Sequence, residues 1–191
     1  IAYAKNVGAE VYATAGSQRK RDYLRSIGIS HIYNSRDTDF AADIFEDTDK
    51  HGVDVVLNSL TGEGFVQASL STCAKDARFI ELAKRDIWSE SQVEEVRPDI
   101  KYHIVALDQL SIENPAWSKK LLERVLNWIE KDSIDMLPCT FYPVRKSVSA
   151  FRYLQQARHI GKVVVKIDDG KAIKKDATYL ITAALKGLGL S

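Results

Sequence analysis

Residues 78–88 read RFIELAKRDIW, an apolar β-like run that ends in Lys84, Arg85 and Asp86. Upstream, residues 53–57 read VDVVL, a β-branched and leucine run of the kind expected of a central parallel strand buried on both faces. Open sheets of parallel strands keep their ligands and chemistry at the carboxyl ends of the strands. Lys84 stands at such an end and is the first candidate for chemistry, the plain alternative being a solvated loop lysine.

Outward from these two runs, strand and helix patterns alternate, which is the signature of an α/β chain with a parallel sheet covered by helices. Residues 11–14 read as a short strand, and Ser17 can cap a helix to about Ile27 with Gly28 beyond its end. Residues 31–33 form another strand, and Thr38 or Asp39 caps a helix through Phe40, Ile44 and Phe45. A helix over 62–70, a strand over 78–83 and one more strand within 102–107 continue the alternation. Asn114 and Pro115 open a helix whose stripe of Leu121, Leu122, Val125, Leu126 and Ile129 predicts core or interface packing. Beyond it come an extended piece at 138–142, a helix capped by Ser147 and carrying Val148, Phe151 and Leu154, and a strand over 163–167 after Gly161. The first residues, IAYAKNVG, resemble the second half of a helix stopped at Gly8, so the chain is expected to be a slice of a longer polypeptide.

Composition narrows the class. The 191 residues are 45% hydrophobic, and their net charge of +1 comes from interspersed charges of both signs, which calls for neither nucleic acid nor an anionic membrane surface. Cys73 and Cys139 are the two cysteines, far apart, without CxxC spacing or clustered histidines; that pattern argues against a disulfide framework and against a zinc site. No apolar run approaches the length of a membrane span. A soluble protein of a reducing compartment, the cytoplasm, is the expectation.

Five ordered motifs carry a family resemblance: VYATAGSQRKRDYLRSIG, YNSRDTDF, GVDVVLNSLTGE, RFIELAKRDIW and FRYLQQARHIGKVVVKI. In that order they resemble the enoyl reductase domain of modular polyketide synthases and animal-type fatty acid synthases, in the zinc-free branch of the medium-chain dehydrogenase/reductase superfamily. The tail DATYLITAALKGLGLS resembles the start of a ketoreductase domain. The resemblance implies a Rossmann-like doubly wound parallel sheet, truncated at its N-terminus, over residues 1–136. It further implies returning elements of a substrate lobe over 137–167, a linker over 168–177 and a ketoreductase stub over 178–191.

The implied reaction is NADPH-dependent reduction of the carbon–carbon double bond of an enoyl thioester on acyl carrier protein, with neighbouring synthase domains as partners. The family's candidate proton donors map onto Lys84 and Asp108. An ammonium group suits an enolate, because its charge favours the developing oxyanion and it carries a proton near neutral pH. Asp108 on its own reads rather as a turn or capping residue.

Thr14, Ala15, Gly16, Ser17, Arg19, Lys20 and Arg21 offer no acid for a ribose hydroxyl, which favours a phosphate-bearing cofactor. Ser17, Lys20 and Arg36 match the residues that hold the 2′-phosphate in the family, with Gly16 beside them as a further cofactor-binding residue, and a capping serine is compatible with an anion at the same helix end. Asn58, Ser59 and Leu60 fall where the family approaches the cofactor riboses; alternatively Asn58 and Ser59 satisfy backbone groups at a strand end. Gly161 and Lys162 correspond to the return of the last strand near the cofactor, although Gly161 could equally be a helix C-cap.

Some positions depart from the pattern. Ala83 stands in place of the usual glycine before Lys84, and Ala183, Ala184 and Lys186 occupy the glycine positions of a ketoreductase turn. The pyrophosphate turn and the substrate lobe are not among these residues, so the chain alone is expected to lack turnover. A nucleotide-binding or structural segment without activity, and a quinone-oxidoreductase-type reductase, are the alternatives.

Overall fold

The computed structural model describes residues 1–167, and all the strand pairs among them are parallel. Parallel pairing needs a crossover, and the chain supplies a helix between each pair. It divides into two units, Ile1–Arg124 and Val125–Ser191.

In the first unit, a short helix α1 (Ala2–Asn6) precedes strand β1 (Tyr12–Thr14), helix α2 (Gln18–Ser26) and strand β2 (His31–Tyr33). β1 and β2 form one small sheet in which Thr14 pairs with Tyr33. Helix α3 (Phe40–Asp47) leads to strand β3 (Val53–Asn58), helix α4 (Phe65–Ser71), strand β4 (Cys73–Glu81), helix α5 (Glu90–Val96) and strand β5 (Lys101–Ile104), giving a second sheet of order β3-β4-β5. Helix α6 (Leu107–Glu113) and helix α7 (Pro115–Glu130) follow. The helix expected from residue 62 starts only at Phe65, because Gly62 and Gly64 take positive φ ahead of it. Ser17 caps α2 as expected, its hydroxyl accepting from Lys20 N at 3.4 Å. Neither Thr38 nor Asp39 caps α3 through its side chain; Asp39 N instead donates to Asp37 Oδ1 at 3.3 Å.

Strand alternation decides the core of the second sheet. Phe79 is 0% exposed and packs with Val66 and Leu70 of α4, Val93 of α5, and Cys73, Ala77, Ile100 and Tyr102. Its ring lies 5.5 Å from that of Tyr102. Period-two geometry turns Val55 and Leu57 to the opposite face, where they remain 48% and 68% exposed. The expectation that residues 53–57 are buried on both sides is therefore corrected: among the described residues β3 buries one face. A further cluster of Tyr33, Phe40 and Ile44, with Tyr12, Val53, Leu60 and Phe65, draws on both sheets.

Arg97 closes the amino-terminal end of the second sheet. Its guanidinium donates to the carbonyls of Leu70 (3.1 Å), Cys73 (3.3 Å) and Ala74 (3.2 Å), and to both oxygens of Asp99 (2.9 and 2.8 Å). The Asp99 carboxyl is held at about 2, chiefly by these bonds from Arg97.

Asn114 caps α7, its Oδ1 accepting from Trp117 N at 3.0 Å. No residue of α7 is buried, and Leu122 is 60% exposed, which sets aside the core alternative for its stripe and leaves the interface one. Periodicity identifies an amphipathic helix but not what covers it. In the second unit, strand β6 (Cys139–Pro143), a 3₁₀ turn and helix α8 (Ser147–Gln155) lead to strand β7 (Lys162–Lys166), which pairs with β6. Ser147 is the first residue of α8 and makes no capping bond, since the 3₁₀ turn runs directly into the helix. The linker expected at 168–177 and the stub at 178–191 lie outside the described residues.

Candidate active site

Two groups of candidate residues assemble in the first unit, each at the carboxyl ends of neighbouring strands. At the ends of β1 and β2 the turn 15–17 and the turn 34–37 face one another. A side chain at Gly16 would run into that of Arg36, with the guanidinium carbon 3.0 Å from an added Cβ; the missing side chain is what lets Arg36 lie across the backbone of the turn. Asn34 anchors the Arg36 turn by accepting from Arg36 N at 3.3 Å and donating to Asp37. Ser17 sits at the start of α2 with Lys20 one turn on, so Gly16, Ser17, Lys20 and Arg36 share one corner. Arg21 does not join them. It donates to Ala15 O at 2.9 Å and Gln18 Oε1 at 3.1 Å and braces the turn.

The second group lies at the ends of β3, β4 and β5. The Lys84 ammonium pairs with the Asp108 carboxylate across 24 residues of sequence, and each side chain is 50% exposed. Asp108 lies in the first turn of α6, where a negative charge suits the helix dipole. Its carboxyl is held below the usual carboxylate range, first by the Lys84 hydrogen bond and also by the N–H of Gln109.

Asn58 is buried, and its polar atoms are engaged inside the chain: Oδ1 accepts from Leu60 N (3.1 Å) and Ser69 Oγ (3.4 Å), and Nδ2 donates to Leu60 O (3.2 Å) and Glu81 Oε2 (2.7 Å). Of the two readings of this residue, the geometry matches the one in which it satisfies groups at a strand end. Leu60 packs into the Tyr33–Phe40 cluster, and Ser59 alone of the three is exposed. Glu81 is the residue that sequence reading missed. It is 0% exposed, and the signal was the alternation of Ala77, Phe79 and Glu81 along one face of β4.

Gly161 and Lys162 belong to the second unit. Gly161 is not a cap of α8, which ends at Gln155. It has φ 74°, a side chain there would strike the Pro138 carbonyl, and Lys162 N donates to that same carbonyl at 2.8 Å as β7 begins.

The family model for the zinc-binding dehydrogenases matches residues 27–165. The chain belongs to the zinc-binding dehydrogenase family. It is 36% identical to a mycocerosic acid synthase-like polyketide synthase of Mycobacterium tuberculosis over its whole length, and it spans 10% of that relative. The solved enoyl reductase JamJ is 41% identical, with a TM-score of 0.81 over 86% of this chain and 49% of that one. The nucleotide-binding subdomain of the enoylreductase domain of PpsC from Mycobacterium tuberculosis is 37% identical, with a TM-score of 0.64 over 70% of this chain and 75% of that one.

The metal in the family's description finds no ligands here. Among the described residues no group of three or more His, Cys, Asp or Glu side chains is placed to hold an ion. Cys73 is buried beside Arg97 and Ser69, with no other cysteine or histidine among its hydrogen-bond partners in the described residues. The family implies a nicotinamide cofactor, and the start of α2 with the cations Lys20 and Arg36 forms a corner suited to an anionic group. No helix among the described residues is long and apolar enough to cross a membrane.

Proposed function

We propose that this chain is the cofactor-binding lobe of an NADPH-dependent enoyl reductase within a polyketide-type synthase. Its substrate is the α,β double bond of an enoyl thioester on acyl carrier protein. The pairing of Lys84 with Asp108 carries the reading, because it sets a cation with a transferable proton at the strand ends where chemistry gathers. The similarity to enoyl reductases of polyketide synthases supports it.

When bound, NADPH would supply the hydride that reduces the β-carbon. Ser17, Lys20 and Arg36 would hold its 2′-phosphate beside Gly16, with Ser59 toward the riboses, and Asn58 and Leu60 shape the 58–60 turn. Lys84 offsets the charge that develops on the thioester oxygen and delivers a proton toward the α-carbon. Asp108 holds the ammonium in place.

Steady-state kinetics of the complete reductase test this. Lys84→Ala should lower kcat about 10²-fold or more, with little change in NADPH affinity, because the interaction forms in the transition state. Asp108→Asn should cost less, and the double variant should be far from additive. Lys20→Ala and Arg36→Ala should erode preference for NADPH over NADH while sparing kcat. Near wild-type kcat in Lys84→Ala would refute the role given to that residue.

A further inference from the structure

Glu81 is a carboxylate sealed inside the sheet, directly beyond Phe79 on the core-facing side of β4. An apolar residue would suit that position for packing alone. What the carboxylate does there is visible in its partners. Oε1 accepts from Ala83 N at 2.7 Å, and Oε2 accepts from Asn58 Nδ2 at 2.7 Å. The main chain around it is tied on both sides, with Leu82 N donating to Asn58 O (2.9 Å) and Val105 N donating to Glu81 O (2.8 Å). The N–H fixed by Oε1 is that of Ala83, the residue immediately before Lys84. The strand fixed by the Glu81 carbonyl is the one that leads to Asp108.

We infer that Glu81 is a positioning residue, whose buried carboxylate sets the 82–84 turn and so aims the Lys84 ammonium at its working place. The inference rests on the reductase reading above. Two acceptors pointing in different directions are needed, one for each N–H, and a carboxylate of this length provides both. Glutamine has the same shape but one acceptor, so its amide must set a donor against either Ala83 N–H or the Asn58 amide. Asn58 cannot relieve the conflict by turning over, because its oxygen already accepts from Leu60 N. Position 81 would stay buried but lose either its tie to Ala83 N or its tie to Asn58, the residue whose carbonyl holds Leu82 N, and either loss loosens the 82–84 turn.

The test is Glu81→Gln in the complete reductase, alone and combined with Lys84→Ala, with NADPH affinity and thermal midpoint measured alongside. Misplacing a reacting group by about 1 Å costs up to about 10²-fold, so kcat should fall about 10- to 100-fold while NADPH affinity changes less than about twofold. In the Lys84→Ala background the same substitution should have almost no effect on kcat, which a merely structural role would not produce. If Glu81→Gln fails to fold, Glu81→Asp keeps the carboxylate but shortens its reach toward Ala83 N and Asn58 Nδ2 and is measured by the same criteria. A low kcat in Lys84→Ala with a normal one in Glu81→Gln, or equal losses from Glu81→Gln in both backgrounds, would overturn this inference alone. Normal turnover in Lys84→Ala would overturn the role given to Lys84 and the inference with it, whereas absence of enoyl reduction by the parent protein would overturn the reductase reading.

Discussion

Truncating Phe79 and truncating Leu57 should have opposite weights although the two residues sit on adjacent strands of one sheet. Phe79 is 0% exposed, enclosed by Val66, Leu70, Val93 and Tyr102, and removing a fully packed Phe typically costs about 3–5 kcal/mol. For a chain of this size each kcal/mol moves the midpoint by about 2–4 °C, so Phe79→Ala should lower it by about 6–20 °C. Leu57 is 68% exposed. Full burial of a leucine contributes about 1.5–3 kcal/mol, so the buried third predicts a loss of less than about 1 kcal/mol for Leu57→Ala. Urea unfolding of the 191-residue chain, followed by fluorescence, measures both, since Trp88 packs against the Phe79 cluster and reports on it. Comparable losses at the two positions would mean that the outer face of β3 is covered, and the one-faced sheet described here would be wrong.

Two further outcomes follow from the electrostatics. Asp99 is held at about 2 in the folded chain, below the value of about 3.9 expected when unfolded. The Arg97 pair therefore contributes its full stability above about pH 5 and loses it as the pH falls toward 2. Unfolding curves of Asp99→Asn should differ from those of the parent chain by a constant amount between pH 7 and 5 and converge below about pH 4; an undiminished gap at about pH 2.5 would contradict the pairing. Cys73 is buried with its thiol pushed up to about 12, whereas Cys139 is exposed. A thiol reagent should label one cysteine quickly in the folded chain and two in denaturant, and rapid double labelling would refute the burial.

The alternation of elements was legible because each has a local cause: Ser17 and Asn114 cap their helices, and the β-branched runs read as strands. What failed was any question about partners. A run such as VDVVL has the same composition whether one face or two are covered, and the stripe on α7 announces an apolar face without naming its cover. The Lys84–Asp108 pair joins positions 24 residues apart, a distance no periodicity spans, and family likeness alone brought the two together. Glu81 was open to local reasoning. Counting by twos from Phe79 puts a carboxylate inside, a step that the apolar run around it conceals.

β4 is held at both ends by side chains of opposite sign. Arg97 grips the carbonyls of Cys73 and Ala74 where the strand enters the sheet, and Glu81 grips Asn58 and the Ala83 peptide where it leaves. A slip of one residue would send Phe79 to solvent and bring its neighbours inside, and either anchor would have to break for that to happen. The pairing with β3 jumps from Val53–Cys73 to Val55–Arg78, so the surplus residues are gathered between the anchors, around Asp76 with its φ of 60°. Length variation in this strand has one place to be absorbed, the stretch 74–77, while the segment that delivers the chain to Lys84 keeps its phase.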